Sequence, residues 1–176
     1  MLHRMSLPPR GHHMTTVGVA LVLLLLSEKP VTVVAKECGV ALVSPHPMAH
    51  HEYPAPTGTG KVHLFLGQAD GVVYALTCLV DPSVNATTAE ELLQANQNGM
   101  TGHDPANLIS QLAVTLHGKP GRELRTRAGV GQTRARTFVL LDRVVTVSIT
   151  GGESRVLSPE AHAFLGSLRS TRERLR

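Results

Sequence analysis

The chain has 176 residues and a net charge of +4, a length that bounds it to one domain once any targeting segment is set aside. Residues 1–35 carry +2 of that charge (Arg4, Arg10 and Lys29 against Glu28), which leaves +2 by subtraction, too little to predict a nucleic-acid partner. With no Trp and only 3% aromatic residues, the chain also lacks a stacking platform for single strands or RNA.

Arg4 and Arg10 form a basic start, and Val17 to Leu26 is apolar throughout except for Gly18. That run is shorter than the roughly 20 residues a bilayer span needs. It fits the core of a signal peptide, with Val33-Val34-Ala35 offering small residues before a cut at Lys36. An uncleaved anchor is the alternative, and Met1 and Met14 are both possible starts. The expected division is a signal peptide over 1–35, a single domain over 36–172 and a basic tail over 173–176. The mature protein is then periplasmic or extracellular, with no transmembrane segment. Export puts Cys38 and Cys78 in an oxidising compartment, where they are either one disulfide or two buried thiols.

Cys38 to Val43 reads as a short apolar strand. Ser44 to Thr59 is rich in Pro and His, so it reads as a long loop or an edge segment. His46, His50 and His51, with Met48 and Glu52, are able to ligate zinc or copper. Their spacing matches no standard site, so a solvated loop is expected and no metal is assigned. Lys61 to Leu66 alternates, with Val62, Leu64 and Leu66 taken as the inward face and His63 and Phe65 as the outward one. Val72 to Val80 is apolar on both faces and reads as a central strand, ended by Asp81-Pro82. Asn85-Ala86-Thr87 has the form of a glycosylation sequon, which matters only in a eukaryotic secretory path. Thr88-Ala89-Glu90-Glu91 is a capping box that opens a helix ending at Gly99 to Gly102.

Leu112, Val114 and Leu116 alternate with polar or small residues and predict a strand with one apolar face. Pro120-Gly121 then suits the centre of a type II turn over Lys119 to Arg122. Arg122 to Ala128 and Thr133 to Leu141 read as two strands joined by the loop Gly129-Val130-Gly131-Gln132. Symmetric closure of that loop sets Arg127 opposite Arg134 and Arg125 opposite Arg136, all on one side, with Leu124, Thr126, Ala135, Thr137 and Val139 on the other. Like charges facing across strands are destabilising, so the cluster needs water, internal acids or an external anion. Glu123 is the nearest internal acid by register. The four arginines are either a solvated face or a site for an anionic ligand or acidic partner.

Leu141-Asp142-Arg143 is a tight reversal into Val144 to Thr150. Ser158-Pro159-Glu160 starts a last helix with an N-cap, proline at the first position and an acid in the first turn. Ala161, Phe164, Leu165 and Leu168 form its buried stripe. This order predicts an α+β domain, an antiparallel β-sheet packed with helices.

Four stretches carry a family resemblance. They are Gly118-x-Pro120-Gly121-Arg122-Glu123, Arg134-Ala135-Arg136 leading into Phe138-Val139-Leu140, Asp142-Arg143-Val144, and Pro159-Glu160-Ala161 with Phe164-Leu165-x-Ser167. They resemble uncharacterised exported bacterial proteins whose fold is similar to the PsbP-like superfamily, an α/β/α sandwich. The resemblance spans 39–169 in order of elements and is residue-specific from Gly118 onward. It implies a binding or accessory module, as in the extrinsic subunits of the oxygen-evolving photosystem and a nuclear-transport GTPase-binding protein. It carries no catalytic set, and Gly118, Pro120, Gly121, Arg122 and Glu123 are equally read as structural.

No GxSxG, P-loop, Rossmann fingerprint or paired-Cys ligand motif is present in the sequence. The expected function is therefore an exported non-enzymatic module with an unknown protein partner and no cofactor. The alternative is an anion-binding protein using Arg125, Arg127, Arg134 and Arg136. An enzyme, of hydrolase type, would need His63 or His117 gathered with a carboxylate in a cleft.

Overall fold

The computed structural model describes residues 29–171. The apolar run Val17 to Leu26 and the tail 173–176 therefore lie outside the described residues. The chain runs β1 (Val31–Ala35), β2 (Val40–Ser44), β3 (Ala49–Pro54), β4 (Lys61–Ala69), β5 (Val72–Val80), α1 (Ala89–Thr101), β6 (Leu108–Leu116), β7 (Lys119–Ala128), β8 (Gly131–Leu140), β9 (Arg143–Gly151), α2 (Glu153–Val156), α3 (Pro159–Gly166) and β10 (Arg169–Ser170). Seven strands form one antiparallel sheet in the order β3-β4-β5-β9-β8-β7-β6. β1, β2 and β10 form a small second sheet. No helix among the described residues is long and apolar enough to cross a membrane.

Local chemistry sets the helices. Thr88 accepts from the Glu91 amide while the Glu91 carboxylate accepts from the Thr88 amide, a complete capping box at the start of α1. Gly102, at φ 61, closes the other end. Ser158 caps α3 by accepting from the Ala161 amide, and Pro159 takes the position where no amide proton is needed.

The core lies between one face of the large sheet and the layer made by α2, α3 and the small sheet. Leu76, Val145, Val147 and Ile149 on the sheet meet Leu42, Phe164 and Leu165 of that layer, all 2% exposed or less. Each such side chain contributes about 1.5–3 kcal/mol by leaving water. Tyr74 meets Phe164 edge-on, with ring centroids 5.1 Å apart, and donates to Glu160 (2.5 Å). Burial first, and then that bond, push the Tyr74 phenol well above its usual range. A Cys38–Cys78 disulfide ties the β1–β2 turn to β5.

The other face carries α1 across β7 and β8. Arg122, 7% exposed, donates to Glu90 (2.5 Å), Gln94 (3.3 Å) and Gln97 (2.9 Å) of α1. Thr137 donates to Asn96 of the same helix.

Five sequence expectations change. Val31–Ala35, assigned to the leader, is a strand paired with β2, and its Ala35 is fully buried. The stretch Ser44 to Thr59, expected as a loop, contains edge strand β3, and Pro54 closes its pairing with β4, where a missing amide proton is tolerated. On β4 the buried face is His63 and Phe65, while Val62, Leu64 and Leu66 are half-buried on the other side. Both faces of β4 are apolar enough for either assignment, and the position of α3 and the small sheet decides between them.

The turn before β7 is not at Pro120-Gly121. It lies at His117 and Gly118, with φ of 49 and 74, because two positive values match the twist of a tight hairpin. Pro120 then sits in β7 just before pairing with β8 begins at Gly121. A side chain at Gly121 would strike the Phe138 ring and come within 2.6 Å of the Thr137 carbonyl. The β7–β8 loop is two residues, Gly129-Val130, rather than four, so the register slips by two. Arg125 faces Arg134, Glu123 faces Arg136 and Arg127 faces Gln132.

Candidate functional site

The slip of two keeps Arg125, Arg127, Arg134 and Arg136 on one face but changes their partners. Glu123 now stands among them. Arg134 Nε donates to Glu123 Oε1 (2.8 Å), and Arg136 Nε donates to Oε2 (2.6 Å). Glu123 is 14% exposed. Burial alone would raise its carboxyl, but the bonds from Arg136 and Arg134 outweigh that and hold it below the ordinary carboxylate range. Two of the four positive charges are thus answered within the fold. Arg125 Nη1 lies 4.0 Å from Glu153, and its buried Nε has no hydrogen-bond partner among the described residues. Arg127 is exposed and donates to the Ala106 carbonyl.

Gly118, Gly121, Arg122 and Glu123 play structural parts in this arrangement, while Pro120 is exposed in β7. Gly118 makes the turn, Gly121 admits Phe138, Arg122 docks α1 and Glu123 braces the ribbon.

The histidines separate. His46 packs near Tyr74, with centroids 5.7 Å apart. His51 points to the opposite face from His50 and stacks beside Tyr53. His50 instead meets His63, a residue the sequence reading placed on the outward face of β4. Their facing nitrogens, His50 Nε2 and His63 Nδ1, are 3.3 Å apart. Glu52 Oε2 is 3.6 Å from the same Nδ1, while Glu52 Oε1 accepts from Lys61 (2.7 Å). The Lys61 bond, more than any other influence, lowers the Glu52 carboxyl. The overlooked signal was the pairing of two alternations, His50-x-Glu52 and His63-x-Phe65, on adjacent strands. Among the described residues, no three His, Cys, Asp or Glu are placed so that they could hold a metal ion. The two cysteines are both spent in the disulfide, so no thiol remains beside His63.

A third feature appears only in the structure. α1 covers β7 and β8, but Tyr53, Val62, Leu64, Leu66, Val73, Leu79 and Val144 extend the same sheet face over β3, β4, β5 and β9. Tyr53 is 50% exposed, and the other six are only half-buried. A sheet face this apolar is expected to carry a covering layer.

No protein-family profile matches the chain. No curated protein matches it in sequence. Among solved structures, the chain is similar to the cyanobacterial PsbP (CyanoP) of Synechocystis sp. PCC 6803, with a TM-score of 0.55 at 13% identity. The likeness covers 90% of this chain and 98% of that one. The antiparallel sheet between helical layers is therefore a PsbP-like α+β fold.

Proposed function

We propose that this chain is an exported, non-enzymatic binding module that docks a protein partner on the open half of its large sheet. The observation that carries the reading is the set of apolar side chains on β3, β4, β5 and β9 that is only half-buried beside α1, with Tyr53 exposed at its edge. Contiguous apolar surface of this kind marks interaction sites. The PsbP-like fold supports an accessory role, since the similar protein is a PsbP. The charge pattern agrees. The face holds Val, Leu and Tyr side chains interleaved with His51, Thr77, Thr146 and Ser148, and it lacks Lys, Arg, Asp and Glu on β3, β4, β5 and β9, as the centre of an interface does. In this reading the signal peptide is removed upstream of Val31, because β1 belongs to the fold.

The test is a photo-crosslinking residue placed at Leu64, in the open face, and separately at Thr115, on the exposed edge strand β6. The chain is expressed in its exporting cell. A discrete adduct at 64 and none at 115 is expected. Equal labelling at both sites, or none at 64, overturns the assignment.

A second reading keeps the arginine face as an anion site, narrowed to Arg125 and Arg127. It is favoured by the buried Arg125 Nε, which has no hydrogen-bond partner among the described residues. Sulfate would then raise the melting temperature, and Arg125→Gln would abolish the rise. An equal rise in the variant removes this reading.

A further inference from the structure

His50 and His63 come from adjacent strands at the edge of the large sheet, on the face that carries the core. His63 is 4% exposed, with Phe65 two residues on along the same face of β4. His50 is exposed on edge strand β3. Its ring stacks on Phe65 at 4.3 Å and on His63 at 5.5 Å, which holds the pair in place. The facing nitrogens are 3.3 Å apart. Two ligands each about 2.0–2.1 Å from a tetrahedral zinc ion stand about 3.3 Å from one another. The observed spacing is that of a chelate edge. A neutral hydrogen bond between the rings also accounts for it, but only with the proton on one of the two facing nitrogens.

Glu52 supplies the third donor. Its Oε2 is 3.6 Å from His63 Nδ1, and its carboxyl is braced at the other oxygen by Lys61. Metal-bound carboxylates are commonly braced in this way. As placed, the three residues do not make a group that could hold a metal ion. Closing the set requires the Glu52 side chain, 45% exposed, to rotate toward the edge.

We propose that His50 and His63 chelate a borderline divalent ion of the zinc(II) class, with Glu52 as third ligand and solvent at the open position. Imidazole and carboxylate donors suit such an ion. Binding requires both facing nitrogens to present lone pairs, so the ring protons move to His50 Nδ1 and His63 Nε2, and no proton leaves the pair. The ion reaches the site from the strand edge past His50. The site lies on the opposite face from the proposed partner surface and does not depend on it.

The probe is zinc chloride alone, titrated by calorimetry into the oxidised full chain. One saturable site per chain is expected. His50→Ala weakens it about tenfold or more, Glu52→Gln weakens it less, and His51→Ala, on the other face, leaves it unchanged. His50 is exposed, so its variant folds, which an unchanged melting temperature without zinc verifies. No saturable binding, or equal affinity in wild type and His50→Ala, overturns the assignment. So does a site that His51→Ala removes while His50→Ala retains it.

Discussion

Opening the Cys38–Cys78 bond should cost this domain about 4 kcal/mol. The bond closes a loop of sequence separation 40. The chain-entropy relation gives about 13 cal/mol/K for a loop of that size, or about 4 kcal/mol at 25 °C. Position adds to this. Cys38 sits in the turn between β1 and β2, and Cys78 in the central strand β5, both fully buried. The bond therefore holds the small sheet against the face it covers, as well as shortening the unfolded chain. A domain of this size loses about 3–5 °C of melting temperature per kcal/mol, so the expected fall is about 12–20 °C. The assay is thermal unfolding followed by circular dichroism, with and without reductant, in wild type and in Cys38→Ala/Cys78→Ala. Wild type should fall on reduction to near the value of the double variant, and the double variant should ignore reductant. If thiol titration shows the wild-type bond open and the melting temperature moves by less than about 3 °C, the clamp argument is wrong.

Three further perturbations probe the fold. Gly121→Ala pushes a methyl group into Phe138 and the Thr137 carbonyl, and should destabilise by about 1–3 kcal/mol in denaturant titration. Arg122→Ala strips Glu90, Gln94 and Gln97 of their shared donor and should cost about 1.5–3 kcal/mol, with hydrogen exchange rising first in α1. Acid should act through Asp81 and Glu123. Asp81 is lowered to about 2, first by its bond from Thr57 and then by those from Ser83. Glu123 is lowered by Arg136 and Arg134 against its burial. Each carboxyl has a folded value below its unfolded one, so its contribution is full above the unfolded value and fades as pH falls through the folded one. Stability should therefore decline from about pH 4.5 towards pH 2, and Asp81→Asn and Glu123→Gln should each flatten that limb.

Much of the fold was legible because local chemistry and tertiary context agreed. The Thr88 to Glu91 box, the Ser158-Pro159 start and the doubly apolar Val72–Val80 strand each admit one structure, and each took it. The ribbon was legible to within parity. Alternation alone places four arginines on one face, but it does not distinguish a two-residue loop from a four-residue one. That difference decides whether Glu123 sits among the arginines or beyond them. The face of β4 was misread because Val62, Leu64 and Leu66 are the more apolar set, and period-two reasoning buries the more apolar set. The core took His63 and Phe65 instead, since the disulfide and α3 lie on their side. The candidate partner surface is the residue of that mismatch: an apolar strand face that is only half-buried among the described residues. Pro54 and the histidines hid β3, which pairs on one edge only and therefore tolerates both.

The most direct test of a docking sheet face is to charge it. Leu64→Glu with Val144→Glu places two carboxylates in the half-buried patch without touching the core layer. Wild type and variant are recovered from the exported fraction and compared by size-exclusion chromatography with light scattering, alongside their melting temperatures. The account predicts that wild type elutes in a larger assembly of fixed stoichiometry, and that the variant elutes as a free chain with its melting transition intact. A variant that folds and remains in the same assembly would contradict it.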